Sequence, residues 1–197
     1  MSSASDDIRT LIDRSESTIE LVIPETLESA PVRGALRYWK EQRGARLLPE
    51  RAEISPRAMA PFLRNIVLIG VINGGADYEY RIAEDAYVQA FGLNFKGMRL
   101  SQIAVRDPLY GAATRATYEH VRVNAEPFAV RGWVAAMTQS AFSYHETVFM
   151  PLGAEDRVDH ILVASTFMPR GNIHAFTSDD RPPGGELPHD GRKTFLR

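Results

Sequence analysis

The chain has 197 residues, a formal net charge of −2 and an apolar fraction of 44%, which are ordinary values for one globular domain with extensions. The balanced charge argues against nucleic acid as a partner, and the absence of cysteine excludes disulfides, thiolate metal ligands and a cysteinyl-flavin adduct. No signal-peptide pattern opens the chain and no window reaches the ~18 apolar residues of a membrane span, so we expect a cytoplasmic protein.

The N-terminal part is polar and is interpreted as a flexible arm over residues 1–30, although residues 18–23 form a short β-prone run. Pro31 then begins an amphipathic helix that ends at Gly44, a residue suited to a left-handed C-terminal cap. One side of this helix is an apolar stripe of Val32, Leu36 and Trp39.

A basic stripe lies beside the apolar one. Its side chains favour a solvated face whose aliphatic stems cover apolar surface, and the alternative is a site for an anionic ligand or nucleotide. The stripe consists of Arg33, Arg37, Lys40, Arg43, Arg46 and Arg51.

The middle of the chain carries a short helix signal followed by a strand. Ser55 and Pro56 are typical of a helix N-cap and first turn, and they predict a short helix that ends near Arg64. Residues 66–72 are an almost unbroken apolar run, which is typical of a buried strand in the middle of a sheet.

A hairpin is predicted next, because residues 73–75 read Asn-Gly-Gly and residues 78–83 alternate. The alternation places Tyr80 and Ile82 on one face of the second strand and Arg81 on the other.

Two helices with clear end signals follow the hairpin. Glu84 and Asp85 favour a helix start and Gly92 favours its end. Asp107 and Pro108 provide a cap and a first-turn proline for a long helix that runs to about residue 124.

Three strands are predicted at residues 128–137, 142–152 and 158–168, with a turn at 153–157. Residues 169–197 are rich in Gly, Pro, Asp and Arg and are interpreted as a disordered tail. The order of elements predicts an α+β fold with one antiparallel five-stranded sheet, short helices on one face and an N-terminal amphipathic helix.

Two segments carry a resemblance to a known family. LRYWKEQRGARLLPERAEISPRAMAPFL and YEYRIAEDAYVQAFGLNFKGMRLSQI resemble the stand-alone PAS-like proteins abundant in alphaproteobacteria, and the resemblance covers residues 36 to 168. One departure is Glu84-Asp85 in place of Gly-Thr, which puts two negative charges near the expected cavity rim. The motifs that recur in that group stand here as Tyr38-Trp39, Arg43-Gly44, the LPER at 48–51 and the EISP at 53–56.

The resemblance implies a PAS-like domain over residues 31–168 and a non-catalytic signalling module that senses a small ligand, binds a partner protein, or both. It also implies a homodimer that pairs through the first helix, at Val32, Leu36 and Trp39. The rival interpretation is a small enzyme with a cone-shaped α+β fold and an apolar pocket, which would need convergent titratable groups.

A PAS-like cavity lies between the sheet and its helices. Arg81 is expected either to anchor a ligand carboxylate or to form an ordinary ion pair. The predicted lining residues are Tyr80, Arg81, Phe91, Leu93, Met98, Leu100, Ile103, Tyr118, Trp133 and Tyr144.

The histidines give little support to a cofactor or to catalysis. His120 lies where related sensors that bind haem place an axial ligand, but five scattered histidines favour a surface role for it. His145 and Glu146 are adjacent on a strand and therefore face opposite sides, which makes them a poor acid-base pair.

Overall fold

Six antiparallel strands form one sheet in the computed structural model, which describes residues 18–133 and 142–169. The predicted tail and the first part of the predicted arm lie outside these residues. The strands are β1 (Thr18–Val22), β2 (Ile66–Ile72), β3 (Asp77–Ala83), β4 (Phe128–Trp133), β5 (Phe142–Ala154) and β6 (Arg157–Pro169). The helices are α1 (Ala30–Arg43), α2 (Asp85–Phe91), α3 (Leu100–Arg106) and α4 (Pro108–Asn124).

The strands lie in the order β1-β4-β5-β6-β2-β3, so the predicted α+β fold with one antiparallel sheet is confirmed. The sheet has six strands rather than five because β1 pairs with β4, from Thr18 opposite Trp133 to Val22 opposite Ala129. Residues 18–22, which were predicted to belong to the arm, form an edge strand of this sheet. β2 is an interior strand next to the edge, whereas the middle of the sheet is β5 and β6.

The β2–β3 hairpin forms as predicted, with Gly74 in the left-handed region at φ 67°. A bulge interrupts the register, since Ile69 pairs with Tyr80 and Leu68 pairs with Ile82, which leaves Arg81 as the extra residue. The bulge turns Ile82 to the opposite face from Tyr80, so the simple alternation predicted for this strand is wrong.

The two faces of the sheet carry separate hydrophobic clusters. The inner face is covered by α2, α3 and α4, and its cluster includes Val67, Ile69, Tyr78 and Tyr80. The outer face is covered by α1, whose apolar stripe packs against strand residues such as Val148.

The apolar stripe that was predicted to pair two chains packs inside a single chain. Val32 and Trp39 are completely buried and Leu36 is 5% exposed within a single chain. The stripe is buried because the outer face of the sheet is itself apolar and needs a covering helix.

Polar contacts hold both ends of α1 to the outer face. Near its start, the buried Glu146 carboxylate accepts hydrogen bonds from the backbone N–H groups of Glu28 and Ser29, at 3.0 and 2.8 Å. Toward its end, Trp39 Nε1 donates to the carbonyl of Pro151 at 2.8 Å. The Glu146 contacts hold the N-cap residue Ser29 and the residue before it, and together with the Trp39 contact they fix α1 against the sheet.

The helix predicted after Ser55 and Pro56 is a series of turns instead. The Ser55 N–H donates to the Tyr38 hydroxyl at 2.8 Å, and the ring of Phe62 packs against Gly34 of α1. Tertiary packing against α1 therefore overrides the local cap signal. Within the described ranges no helix combines the length and the apolar content that crossing a bilayer requires.

Candidate functional site

Most of the predicted lining residues meet in the cluster on the inner face. Four of them are buried, with at most 5% of the residue exposed: Tyr80, Leu100, Ile103 and Tyr118. Three more are partly buried and pack against this cluster: Phe91, Leu93 and Met98. The predicted set is therefore largely brought together, and its members pack against one another.

Four tyrosine hydroxyls meet inside this cluster and form what we call the tyrosine chain. The Tyr118 hydroxyl donates to Tyr80 Oη at 3.2 Å, and Tyr80 Oη lies 3.3 Å from Tyr110 Oη. Tyr110 Oη lies 2.7 Å from Tyr87 Oη. The hydroxyls thus form a continuous line of polar atoms within an apolar core.

The secondary structure explains how these side chains converge. Tyr80 points inward from β3, and Tyr87 lies in the first turns of α2. Tyr110 and Tyr118 are eight residues apart on α4, a spacing that puts both rings on one face of the helix. The start of α4 is fixed by Asp107, whose carboxylate accepts the Tyr110 N–H at 3.0 Å.

Phenylalanine rings surround the tyrosine chain. Phe95 lies 5.1 Å from Tyr80 and 5.3 Å from Tyr87, measured between ring centroids. Phe91 lies 4.5 Å from Tyr87, and Phe167 of β6 contacts both Tyr87 and Phe91 at 5.9 and 5.8 Å. Tilted and edge-on contacts of this kind are favourable and give the site a defined shape.

Burial controls the protonation of the tyrosine chain. It raises the pKa of Tyr80, Tyr87, Tyr110 and Tyr118 above the ordinary value of a phenol. All four hydroxyls therefore stay protonated at neutral pH. They supply hydrogen-bond donors and acceptors, but no phenolate that would act as a base or nucleophile.

A second polar group lies beside Phe167 on the inner face. The His145 ring stacks on Phe167 with centroids 6.2 Å apart and an angle of 19° between the planes. His145 Nδ1 is 3.1 Å from Thr147 Oγ1, which donates to Ser165 Oγ at 3.0 Å. Burial lowers the pKa of His145 to about 4, so its imidazole is neutral at pH 7.

Three predicted lining residues do not join the inner cluster. Arg81 is exposed on the opposite side from Tyr80 and forms an ion pair with Glu79 at 3.1 Å. Tyr144 is four residues from Val148 on β5 and so lies on the same outer face, where burial and the nearby Glu146 raise its pKa. Trp133 ends β4, and its side chain lies outside the described part of the structure.

Several residues of the site were absent from the predicted lining set, namely Phe95 and Phe167 and the polar side chains of Tyr87, Tyr110 and His145. Tyr87 precedes Phe91 by four residues, a spacing that places both rings on one helix face. Tyr110 follows the cap at Asp107, so its position near the sheet depends on where the helix begins. His145 has no sequence signal, because a lone histidine on a strand is compatible with either face.

His120 packs over the C-terminal part of α4. Its ring lies 4.8 Å from Phe128, and Asn124 Nδ2 donates to its backbone carbonyl at 2.7 Å. Burial lowers its pKa. Over residues 18–133 and 142–169, no group of three or more His, Asp or Glu side chains is arranged to hold a metal ion.

The basic stripe of α1 is largely engaged in local contacts. Lys40 pairs with Glu25, and Arg46 pairs with Glu53 at 2.8 Å. The guanidinium group of Arg43 lies over the Trp39 ring, 5.2 Å from its centroid. These contacts match the interpretation of the stripe as a solvated face with packed stems.

Comparison with known proteins identifies the family. A sequence model described as a PAS domain matches residues 27–164, which is more than half of the chain. No curated protein and no solved structure matches the chain. The matched residues include all four helices, the strands β2 to β5 and the first part of β6. On this match the chain belongs to the PAS domain family.

Proposed function

We propose that this PAS domain is a non-catalytic signalling module that holds a small molecule at the tyrosine chain. The family supports a sensory role, since PAS domains are typically signalling modules. The observation that carries the proposal is the line of four buried hydroxyls from Tyr118 to Tyr87. Apolar side chains would fill this core without the cost of burying hydroxyl groups.

The energetics of hydroxyl burial support a binding role. Burying a hydroxyl costs free energy unless a hydrogen bond compensates for it. Two of the three contacts in the chain, Tyr118 to Tyr80 and Tyr80 to Tyr110, are 3.2 and 3.3 Å long, beyond the usual 2.7–2.8 Å of O–H···O bonds. Each hydroxyl also has two acceptor lone pairs. The tyrosine hydroxyls can therefore form additional hydrogen bonds with a polar group of a ligand.

The proposal is tested by native mass spectrometry of the full-length protein, followed by denaturation to release bound molecules. Tyr110→Phe removes the hydroxyl that joins Tyr80 to Tyr87 and keeps the ring. Tyr78→Phe is the matched control, because the Tyr78 hydroxyl donates instead to Glu119 at 2.8 Å. We expect a small mass that is retained in the control and reduced in Tyr110→Phe. Equal retention in both variants would contradict a role for the tyrosine chain.

We further propose that the domain signals as a homodimer through the exposed face of α1. Ligand binding at the inner face must alter α1 on the outer face, and β5 connects the two. His145 of β5 faces inward, while the adjacent Glu146 binds the residues before α1. On the exposed face, Arg37 and Glu41 are one turn apart with opposite charges. Two-fold antiparallel pairing of α1 would place each Arg37 against Glu41 of a second copy.

Sedimentation velocity tests this pairing. Arg37→Glu places two carboxylates together in the dimer and is expected to weaken it, with an effect that diminishes at high salt. Arg106→Glu, an exposed reversal on α3, is the matched control and should leave association unchanged. Equal sedimentation of all three proteins as monomers would rule out the homodimer.

A further inference from the structure

The second polar group of the inner face, His145 with Thr147 and Ser165, has an unsatisfied atom. His145 Nε2 is buried and has no hydrogen-bond partner among the described residues, although the residue as a whole is partly exposed. A buried polar atom without a partner normally costs free energy comparable to a lost hydrogen bond. A ligand that forms a hydrogen bond with His145 Nε2 would remove this cost.

The hydrogen bonds of the group determine which nitrogen carries the proton. The single hydroxyl proton of Thr147 goes to Ser165 Oγ, so Thr147 Oγ1 is the acceptor toward His145 Nδ1 at 3.1 Å. Nδ1 must then carry the imidazole proton. In a neutral imidazole the other nitrogen, Nε2, is left with a lone pair and accepts hydrogen bonds.

Among the described residues, the neighbours of His145 are the Phe167 ring and the Thr147 and Ser165 hydroxyls, and none of them is charged. Phe167 stacks on the imidazole and links it to Phe91 and Tyr87, which is the end of the tyrosine chain. The tyrosine hydroxyls are neutral for the reason given above. A charged ligand would lose its hydration here without an opposite charge to replace it.

We propose that the ligand is an uncharged aromatic molecule with an O–H or N–H group that donates to His145 Nε2. This inference rests on the proposed sensory function. The aromatic part of the ligand packs against Phe167 and Phe91, and the donor satisfies the buried His145 Nε2, which has no partner among the described residues. The site thereby selects for a donor and against a charge.

Histidine ¹⁵N NMR on the full-length protein tests the first step. The resonances of ligand-free protein should show Nδ1 protonated and Nε2 unprotonated. Two pairs of probes then test the second step, namely phenol against fluorobenzene and indole against benzothiophene. Within each pair the ring size is similar and one member has a donor. We expect the donor-bearing members to shift the His145 Nε2 resonance to saturation and the other members to leave it in place.

Calorimetry on the same probes gives the size of the preference. A single neutral hydrogen bond contributes ~0.5–1.5 kcal/mol, so each donor-bearing probe should bind roughly threefold to tenfold more tightly than its partner. His145→Phe keeps an aromatic ring and removes the acceptor, so the preference should disappear in that variant. The measurement on the wild-type chain is decisive even if His145→Phe fails to fold.

The outcomes separate this inference from the sensory function. If fluorobenzene and benzothiophene bind as tightly as phenol and indole, or if Nε2 is protonated in the free protein, the inference is wrong while ligand binding stands. If no probe binds and no mass is released from the purified protein, both proposals are wrong.

Discussion

The two faces of the sheet bury similar side chains but use their polar groups differently. On the outer face, Glu146 and Trp39 form hydrogen bonds of 2.8–3.0 Å to backbone groups, and these bonds fix α1 in place. On the inner face, the hydroxyls bind one another, and two of the three contacts exceed 3.1 Å. The outer bonds join side chains to the backbone around α1, whereas the inner ones join side chains to one another, and these are the bonds that the proposed ligand would exchange.

Trp39→Ala should have the largest effect on the outer face. The side chain is completely buried, so its removal leaves a cavity and an unpaired Pro151 carbonyl. We expect a loss of about 3–5 kcal/mol in the free energy of unfolding. Urea denaturation measures it, with Trp39→Phe as the variant that keeps a ring and loses less. A cost below that of Trp39→Phe would show that α1 is held mainly by other contacts.

Glu146→Gln should have the next largest effect, because the charge that binds Glu28 and Ser29 is lost while the shape is kept. We expect a loss of about 1–3 kcal/mol and faster hydrogen exchange in the first turns of α1. Glu126→Gln, at an exposed position, is the control. Unchanged hydrogen exchange in α1 would show that Glu146 does not hold this helix against the sheet.

Protonation of His145 should weaken the inner face at mildly acid pH. The folded pKa is about 4 and the ordinary value is 6.5, so the unfolded chain binds more protons between these values. Stability from this group is therefore complete above pH 6.5 and is lost as the pH falls toward 4, by at most about 3 kcal/mol. Because the residue as a whole is partly exposed, solvent screening reduces this figure.

Thermal or urea unfolding at several pH values measures this dependence. His145→Phe should flatten the slope between pH 6.5 and 5, leaving the smaller contribution of His120, whose pKa is also lowered by burial. His160→Gln leaves His145 intact and is the control for the replacement of a histidine elsewhere in the sheet. An unchanged slope in His145→Phe would show that the imidazole is not desolvated in the folded state.

Local signals in the sequence predicted the parts of the fold that depend on neighbouring residues. The Asn-Gly-Gly turn gave the β2–β3 hairpin, and Asp107 with Pro108 gave the start of α4. The pairing of β1 with β4 joins residues more than a hundred positions apart, such as Glu20 and Arg131, and no local pattern reports it. Periodicity also shows that α1 has an apolar stripe without showing whether that stripe meets the sheet or a second chain.

The candidate site was predicted less completely, for the same reason. Tyr80 and Tyr118 were expected at the inner face from their strand and helix positions, and both lie there. The partners that make them a polar chain, Tyr87 and Tyr110, depend on how α2 and α4 are placed against β3. The bulge at Arg81 changes faces within one strand, which strict alternation cannot anticipate.

Arg81→Ala should have the smallest effect on the free energy of unfolding. It also tests directly which face of the sheet binds the ligand. The sequence allowed Arg81 to anchor a ligand carboxylate, but the side chain lies on the exposed side of the bulge and pairs with Glu79. An exposed ion pair contributes ~0–1 kcal/mol, so the free energy of unfolding should change by less than about 1 kcal/mol. Any molecule released from the wild-type protein in native mass spectrometry should be retained by Arg81→Ala, because this side chain does not reach the tyrosine chain. Loss of that molecule in a folded Arg81→Ala protein would move the binding site from the inner face to the edge formed by β3.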